Sequence, residues 1–144
     1  MKRLFLPIVL LLLLAAGCQP KGVKYTHYRN NRFGFELDYP SFMTKDPPPE
    51  NGDGISCRGN GMEIVAAGGM DIDTIRHPER HGIYHTSSVN NPDGTVSFVK
   101  TAYFFATDNG DINLTLRITY PQGQVDEAVI QHIAESFCYK PENY

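Results

Sequence analysis

Residues 112–137 read INLTLRITYPQGQVDEAVIQHIAESF, and this stretch decides the fold. Over residues 112–120 apolar side chains alternate with polar ones, which is the period-two pattern of a half-buried strand. Over residues 125–137 the apolar residues recur at helical spacing and form one stripe. That stripe must be buried, and the inner face of a sheet is the available partner. The stripe comprises Val125, Val129, Ile130, Ile133, Ala134 and Phe137.

Upstream segments predict further strands joined by tight turns. Strands are predicted over residues 33–39, 55–58, 62–66, 83–89 and 95–107. Pro40 is expected to end the first of them, since proline donates no ladder hydrogen bond. Gly59-Asn60-Gly61 is a strong tight-turn signal. A helix beginning within residues 70–80 is limited by Pro78 and Gly82. Tight turns favour antiparallel pairing, so the sequence predicts an α+β sandwich of an antiparallel β-sheet packed against a C-terminal helix.

The N-terminus has the zones of an export signal. Lys2 and Arg3 are followed by apolar residues 4–14, broken only by Pro7, and then by small residues. This apolar stretch is shorter than the roughly 20 residues that a membrane-spanning helix needs. The sequence therefore predicts a cleaved signal and not a transmembrane anchor.

The end of this signal resembles the lipobox of bacterial lipoproteins, in the stretch Leu14-Ala15-Ala16-Gly17-Cys18. The resemblance implies cleavage after Gly17, a diacylglyceryl group on the sulfur of Cys18 and acylation of its amino group. The alternative is an ordinary secretory signal with a cysteine near its cleavage site. With two or more acyl chains the anchor would be stable.

This interpretation divides the chain into three parts. Residues 1–17 are expected to be the signal peptide, residues 18–24 the lipidated Cys and a short tether, and residues 25–144 a single domain. The tether keeps that domain within roughly 20–30 Å of the membrane. Gln19 follows the cysteine in place of the Asp that often means inner-membrane retention in the lipoproteins it resembles. We therefore expect a periplasmic-side protein of the cell envelope, with the outer membrane favoured.

The charge balance and the cysteines narrow the chemistry of the mature chain. Loss of Lys2 and Arg3 reduces 13 basic residues to 11, against 16 acidic ones, which argues against a nucleic-acid partner. With Cys18 modified, Cys57 and Cys138 remain as a pair in an oxidising compartment, and a disulfide between them is predicted. The alternative is two small buried side chains that never meet.

Three segments together resemble the PsbP-like fold family: residues 33–42, residues 50–55 with the strand 64–66, and residues 116–121 leading to 130–137. The resemblance implies an antiparallel sheet flanked by helices. It also implies a largely non-enzymatic accessory or binding role, and several members are bacterial lipoproteins. The family has no shared catalytic motif that could be carried over to this sequence.

Candidate catalytic and metal-binding residues are few. His77, His81 and His85 are spaced by four and could bind zinc or copper on a continuous helix, although Pro78 and Gly82 oppose such a helix. Residues 108–113 have oxygen ligands at nearly calcium-loop spacing but lack the final Glu of an EF-hand. Neither a nucleophile elbow nor a phosphate loop is present in the sequence. We therefore predict no catalytic residues and no cofactor.

Three functional hypotheses follow. The first is a membrane-anchored, non-catalytic binding or accessory module, with a possible envelope protein partner. The second is an envelope hydrolase or metal-binding protein that uses the His77–His85 region with Asp71 and Asp73. The third is an inhibitor of a secreted enzyme. The tyrosines near turns and chain ends are candidate interface anchors, with packing at the sheet edges as the favoured alternative: Tyr25, Tyr28, Tyr84, Tyr139 and Tyr144.

Overall fold

Nine strands and one helix are formed by the residues that the structure, a computed structural model, describes: 22–70, 82–105 and 112–140. The strands are β1 (Tyr25–Asn30), β2 (Phe35–Pro40), β3 (Thr44–Lys45), β4 (Gly54–Gly59), β5 (Met62–Gly69), β6 (His85–Asn90), β7 (Val96–Phe105), β8 (Asn113–Pro121) and β9 (Cys138–Tyr139). The helix, α1, spans Glu127–Ser136.

The strands form two antiparallel sheets. One sheet has three strands in the order β1-β2-β9, and the other has six in the order β3-β4-β5-β8-β7-β6. Every strand pair is antiparallel, as the tight turns predict. The predicted α+β class is therefore confirmed, but the strands form two sheets where the sequence predicts one.

The alternating pattern of β8 explains its position inside the large sheet. Leu116 is paired with Ala66 of β5 and with Ala102 of β7, and all three are buried on the inner face. The polar residues that alternate with them point to the opposite, outer face, since successive strand residues point to opposite sides. One face of this sheet therefore forms the core and the other faces outward.

The hairpin between β4 and β5 forms where the turn signal predicts it. Asn60 has a φ of 50° and Gly61 a φ of 76°, so both turn residues adopt the left-handed conformation. A two-residue turn of this kind matches the twist of the flanking strands, and Asn-Gly is its preferred sequence. Gly59 is consequently paired directly with Met62, which fixes the register of the two strands.

The core joins both sheets and the helix. Phe35 and Leu37 of β2, Ile64 of β5, and Ile130 and Ile133 of α1 are all fully buried. Burying a side chain of this size contributes about 1.5–3 kcal/mol relative to exposure. The contact between these elements therefore rests on apolar burial.

Helix α1 is held at both ends. The carboxylate of Asp126 accepts a hydrogen bond of 2.9 Å from the backbone N–H of Ala128, which caps the N-terminus. Near the C-terminus the backbone N–H of Asp38 donates to Ser136 Oγ at 2.9 Å, which connects the helix to β2. The buried stripe is the predicted one, with Val129, Ile130, Ile133 and Ala134 facing the core.

The predicted strands agree with the structure apart from shifts of a few residues at their ends, but three short or polar strands were not predicted. β1, β3 and β9 have no clear alternation of their own, and each is paired with a stronger strand. Pro40 is included as the last residue of β2. Nearly all of the helix predicted within residues 70–80 lies outside the described residues. Within the described ranges, no helix has the length and apolar character needed to cross a membrane.

Candidate functional site

Most of the predicted site residues lie outside the part of the chain that the structure describes. These are Cys18, His77 and His81, together with Asp71 and Asp73. The proposed calcium loop is also largely outside it. His85 is exposed in β6, and no group of three or more His, Cys, Asp or Glu side chains within the described ranges could hold a metal ion. The metal hypothesis therefore stays a prediction that depends on residues 77 and 81.

The predicted disulfide is not present, because the structure has both Cys57 and Cys138 as free thiols. Cys57 is fully buried and paired with Ile64 on the core face of the large sheet. Cys138 is paired with Glu36, and directly opposed residues in a ladder share one face. That face carries charged side chains and is turned away from the core, so the two thiols lie on different sides of the small sheet.

Two neighbouring concave regions lie on the outer face of the large sheet. The first has a volume of about 350 Å³ and lies between the loop before β4 and strands β4 and β5. The second, about 290 Å³, lies over β5, β8 and β7. Val65 lines both regions, so we describe them together as the outer groove. Its other lining residues include Pro47, Pro49, Ala67, Thr101, Tyr103, Thr115 and Arg117.

The strand register explains why these side chains lie together. Val65 is paired with Ser56 on one side and with Arg117 on the other, and Arg117 is paired in turn with Thr101. The same row ends at His85 of β6. Five consecutive strands thus contribute outward-facing side chains to one row, and four of these strands, β4, β5, β8 and β7, line the outer groove.

The loop that forms one wall of the outer groove is fixed by buried polar contacts. Asn30 is buried; its Nδ2 donates to the carbonyl of Gly52 at 3.0 Å, and its Oδ1 accepts from the backbone N–H of Phe33 at 2.9 Å. The hydroxyl of Tyr28 donates to the carbonyl of Gly54 at 3.2 Å. Arg32 adds an ion pair of 2.8 Å to Asp53. The loop is therefore held in one position against the β1–β2 hairpin.

The outer face of the small sheet carries a different arrangement, which we call the Glu36 network. The carboxylate of Glu36, only 10% exposed, accepts from Arg29 Nη1 at 2.6 Å and lies 2.7 Å from Lys140 Nζ. His27 Nδ1 lies 2.8 Å from Asp38 Oδ1 and bridges the two carboxylates, with its Nε2 at 3.8 Å from Glu36. The network comprises His27, Arg29, Glu36, Asp38, His132 and Lys140.

Helix α1 contributes the last member of this network. His132 Nε2 lies 3.4 Å from Asp38 Oδ2, close enough for an ion pair but without the geometry of a hydrogen bond. The ring of His132 stacks on that of Tyr25, with 3.9 Å between the ring centroids. The position of His132 is therefore set by stacking and packing more than by its polar contact.

The electrostatics of the Glu36 network favour a structural role. The hydrogen bond from Lys140 lowers the pKa of Glu36, with Arg29 adding to the effect, and the same contact raises the pKa of Lys140. A general acid at neutral pH needs a carboxyl whose pKa is raised, so the lowered pKa of Glu36 does not suit that role.

The buried thiol of Cys57 is likewise poorly suited to catalysis. Burial raises the pKa of Cys57 to about 11, so that thiol stays protonated and is a weak nucleophile.

The described tyrosines pack against the domain, as the favoured alternative expects. The hydroxyl of Tyr84 donates to the carbonyl of Ala134 at 2.7 Å, and the ring of Tyr84 contacts Phe104. Tyr28, Tyr25 and Tyr139 are partly buried against the core. Tyr103, which is not among the anchors predicted from the sequence, is instead 38% exposed in the outer groove.

Neither the outer groove nor the Glu36 network is found by sequence reasoning. Glu36 and Lys140 are far apart in the chain and meet only because β9 returns to β2. The one usable signal for the outer groove is that β5 and β8 carry small or uncharged residues at several outward positions, where a solvated sheet normally carries charges. The relevant residues are Val65, Ala67, Thr115 and Thr119.

Comparison with known proteins gives similarities of structure only. No protein-family model and no curated protein matches the chain. The structure is similar to the solution structure of cyanobacterial PsbP (CyanoP) from Synechocystis sp. PCC 6803, with 13% identity and a TM-score of 0.48, over 88% of this chain and 99% of that one. It is also similar to the Ran-binding protein Mog1p of Saccharomyces cerevisiae, with 8% identity and a TM-score of 0.38, over 83% and 97% of the two chains.

Proposed function

We propose that this protein is an envelope lipoprotein, anchored through lipid on Cys18, whose domain is a non-catalytic binding module. The observation that carries the binding role is the outer groove, a continuous surface across four strands whose wall is fixed in advance by Asn30 and Tyr28. A preformed groove lowers the ordering cost of binding. The partner that suits it is an extended segment of an envelope protein.

The distribution of charge supports this choice of surface. In the Glu36 network each carboxylate already has a cationic or histidine neighbour, so that face offers few unsatisfied groups to a partner. The outer groove instead presents apolar and hydroxyl side chains, together with Arg117, whose guanidinium is paired with Glu63 at 3.4 Å. Such mixed surfaces with an exposed tyrosine and an arginine are typical of protein interfaces.

The anchor is tested by comparing wild type with Cys18→Ser in cells fed an alkyne-labelled palmitate. We expect the label on the wild-type protein only, and we expect the wild type in the membrane fraction and Cys18→Ser in the soluble periplasmic fraction. Separation of the two membranes on a density gradient then tests the outer-membrane assignment. Equal labelling of both proteins, or membrane retention of Cys18→Ser, would contradict the anchor.

The binding role is tested with a photo-reactive benzoylphenylalanine placed in the outer groove at Thr101. The matched control places the same residue at Gln131, which is exposed on helix α1 at the opposite side of the large sheet. We expect a discrete crosslinked product from Thr101 that Gln131 does not give, and mass spectrometry identifies the partner. The binding role is contradicted by an absence of product at Thr101, or by the same products from both positions.

A further inference from the structure

Strand β6 forms one edge of the large sheet, and half of its backbone groups have no partner among the described residues. It is paired only with β7, and all six of its residues are exposed. The backbone N–H of Asn91 donates to the carbonyl of Thr95 at 2.8 Å, which identifies that pair as hydrogen-bonded. In an antiparallel ladder such pairs alternate with pairs that form no hydrogen bonds. His85, Ser87 and Val89 therefore bond to β7.

The remaining backbone groups of β6 point away from the sheet. By the same alternation, the N–H and C=O groups of Thr86, Ser88 and Asn90 are directed outward. The β7–β8 ladder gives the same alternation. The N–H of Gln122 donates to the carbonyl of Val96, so the backbone groups of Val96 point toward β8 and not toward Asn90, its partner on β6. An edge of this kind is a template for pairing with another strand. Charged residues usually protect such an edge, yet β6 contains no Lys, Arg, Asp or Glu.

The other described edges are less open to pairing. β3 and β9 are only two residues long, and β1 carries His27 and Arg29 of the Glu36 network. Three of the five exposed large apolar side chains among the described residues lie at or beside the β6 edge, and the other two are Phe42 and Met70. Ile83 is 49% exposed near Tyr103 of β7, and Val89 is 47% exposed toward the other end of β6, where it is paired with Ser97. Because the side chain of Tyr84 turns inward to α1, Ile83 lies on the outer face, as Val89 does.

We infer that β6 pairs with β6 of a second copy of this chain, which joins two large sheets into one continuous twelve-stranded sheet across a twofold axis. A twofold axis perpendicular to the sheet leaves the outer faces of both copies on the same side and makes β6 antiparallel to its copy. More than one register would pair the outward backbone groups of the two β6 strands. In the register that pairs Thr86 with Thr86 of the second copy, Ile83 of each copy lies opposite Val89 of the other. That register covers both exposed apolar side chains twice.

Two features favour a second copy over a strand of another protein. The strand has no charge, so its own copy meets no like-charge repulsion across the ladder. Its apolar positions are also placed symmetrically about Thr86, with Ile83 three residues before it and Val89 three residues after it. An unrelated partner would have to match this spacing independently. The inference does not depend on lipidation or on what the outer groove binds.

The test uses the full-length chain in its own membranes, in a Cys138→Ser background so that the partly exposed native thiol cannot react. Thr86→Cys places two thiols at the proposed twofold axis, where directly opposed Cα atoms are about 5.5 Å apart. Ser88→Cys is the matched control on the same face of the same strand. In the proposed register its two copies are offset by four residues, or about 14 Å. A thiol crosslinker with a reach below that distance is then added.

We expect a covalent homodimer from Thr86→Cys at roughly tenfold the yield from Ser88→Cys, because only the former lies within reach of its copy. Adding Val89→Lys to Thr86→Cys should abolish that dimer, since it places a charge opposite Ile83. The substitution lies on an exposed side chain, so folding should be retained, as circular dichroism can verify. No homodimer from Thr86→Cys, equal yields from both cysteine variants, or a product with a different protein would overturn the inference.

Discussion

The two outward-facing sheet surfaces of this molecule differ in the side chains that they present to solvent. The outer face of the small sheet carries the Glu36 network, in which Arg29, Lys140 and His27 contact the nearly buried carboxylate of Glu36, while His27 and His132 contact Asp38. The outer face of the large sheet carries the outer groove, with small side chains and a wall set by Asn30. The charged groups of both surfaces are paired internally, since Glu63 on the large sheet pairs with Arg58 and Arg117, but only the outer groove adds exposed apolar and hydroxyl side chains that a partner can contact.

This difference assigns a stabilising role to the outer face of the small sheet and a binding role to the outer face of the large sheet. The Glu36 network connects β1, β2, β9 and α1, so it fixes the position of the C-terminal segment. Strands β4, β5, β8 and β7 beneath the outer groove are joined mainly by ladder pairing, and the exposed ion pairs of Glu63 with Arg58 and Arg117 add little to their stability. Substitutions on the two faces should therefore affect different properties, and the following predictions test that division.

The largest effect is expected from Glu36→Gln. The substitution keeps the size of the side chain but removes the charge that compensates Arg29 and Lys140. Because both cations are partly exposed, water recovers some of the loss, and we expect the free energy of unfolding to fall by about 1–3 kcal/mol. Urea unfolding followed by circular dichroism measures the change.

Val65→Thr is the matched control on the other face. It keeps a β-branched side chain at a half-exposed outward position, so we expect a change in unfolding free energy within about 0.5 kcal/mol. The two variants should therefore differ clearly in the same assay. If Val65→Thr destabilised the protein as much as Glu36→Gln, the proposed division between the two faces would be wrong.

A smaller, pH-dependent effect is expected from the same carboxylate. The pKa of Glu36 is lowered from its ordinary value of 4.5 in the folded state, so its contribution to stability is fully present above that value. The contribution is lost as the pH falls through the lower folded-state pKa. Wild type should therefore lose more stability than Glu36→Gln between neutral pH and pH values below 4.5. Unfolding midpoints measured across that range give the two slopes, and parallel slopes would rule out this role of Glu36.

The elements with a strong local pattern are the ones that sequence reasoning identifies. The alternation in β8 and the apolar stripe of α1 are each sufficient to predict the element, because the spacing of their apolar residues defines one buried face along the whole element. β1 has no such face: its residues are YTHYRN, and its position follows from pairing with β2. The division into two sheets likewise depends on which strands meet in three dimensions.

The candidate surfaces depend still more on long-range contacts. The Glu36 network brings together residues from positions 27 to 140, and no motif of adjacent residues marks it. The predicted disulfide shows the same difficulty, since an even pair of cysteines says nothing about which face of a sheet each one occupies. Counting cysteines predicts a bond, whereas the ladder registers of Cys57 and Cys138 place them on different sides of the small sheet.

The smallest expected effect concerns the two thiols. Labelling them tests which side of the small sheet each one occupies, and it should leave the free energy of unfolding unchanged. Cys57 is fully buried, and its pKa is raised to about 11 by burial, so its thiolate is scarce at neutral pH. Cys138 lies on the partly exposed face of the small sheet. In the folded, non-reduced protein we therefore expect maleimide to modify Cys138 rapidly and Cys57 only after denaturation, as peptide mass spectrometry can measure. Cys138→Ser should remove the rapid reaction. If neither thiol reacted until a reductant was added, the cysteines would be bonded and the placement of Cys138 on the outer face would be refuted.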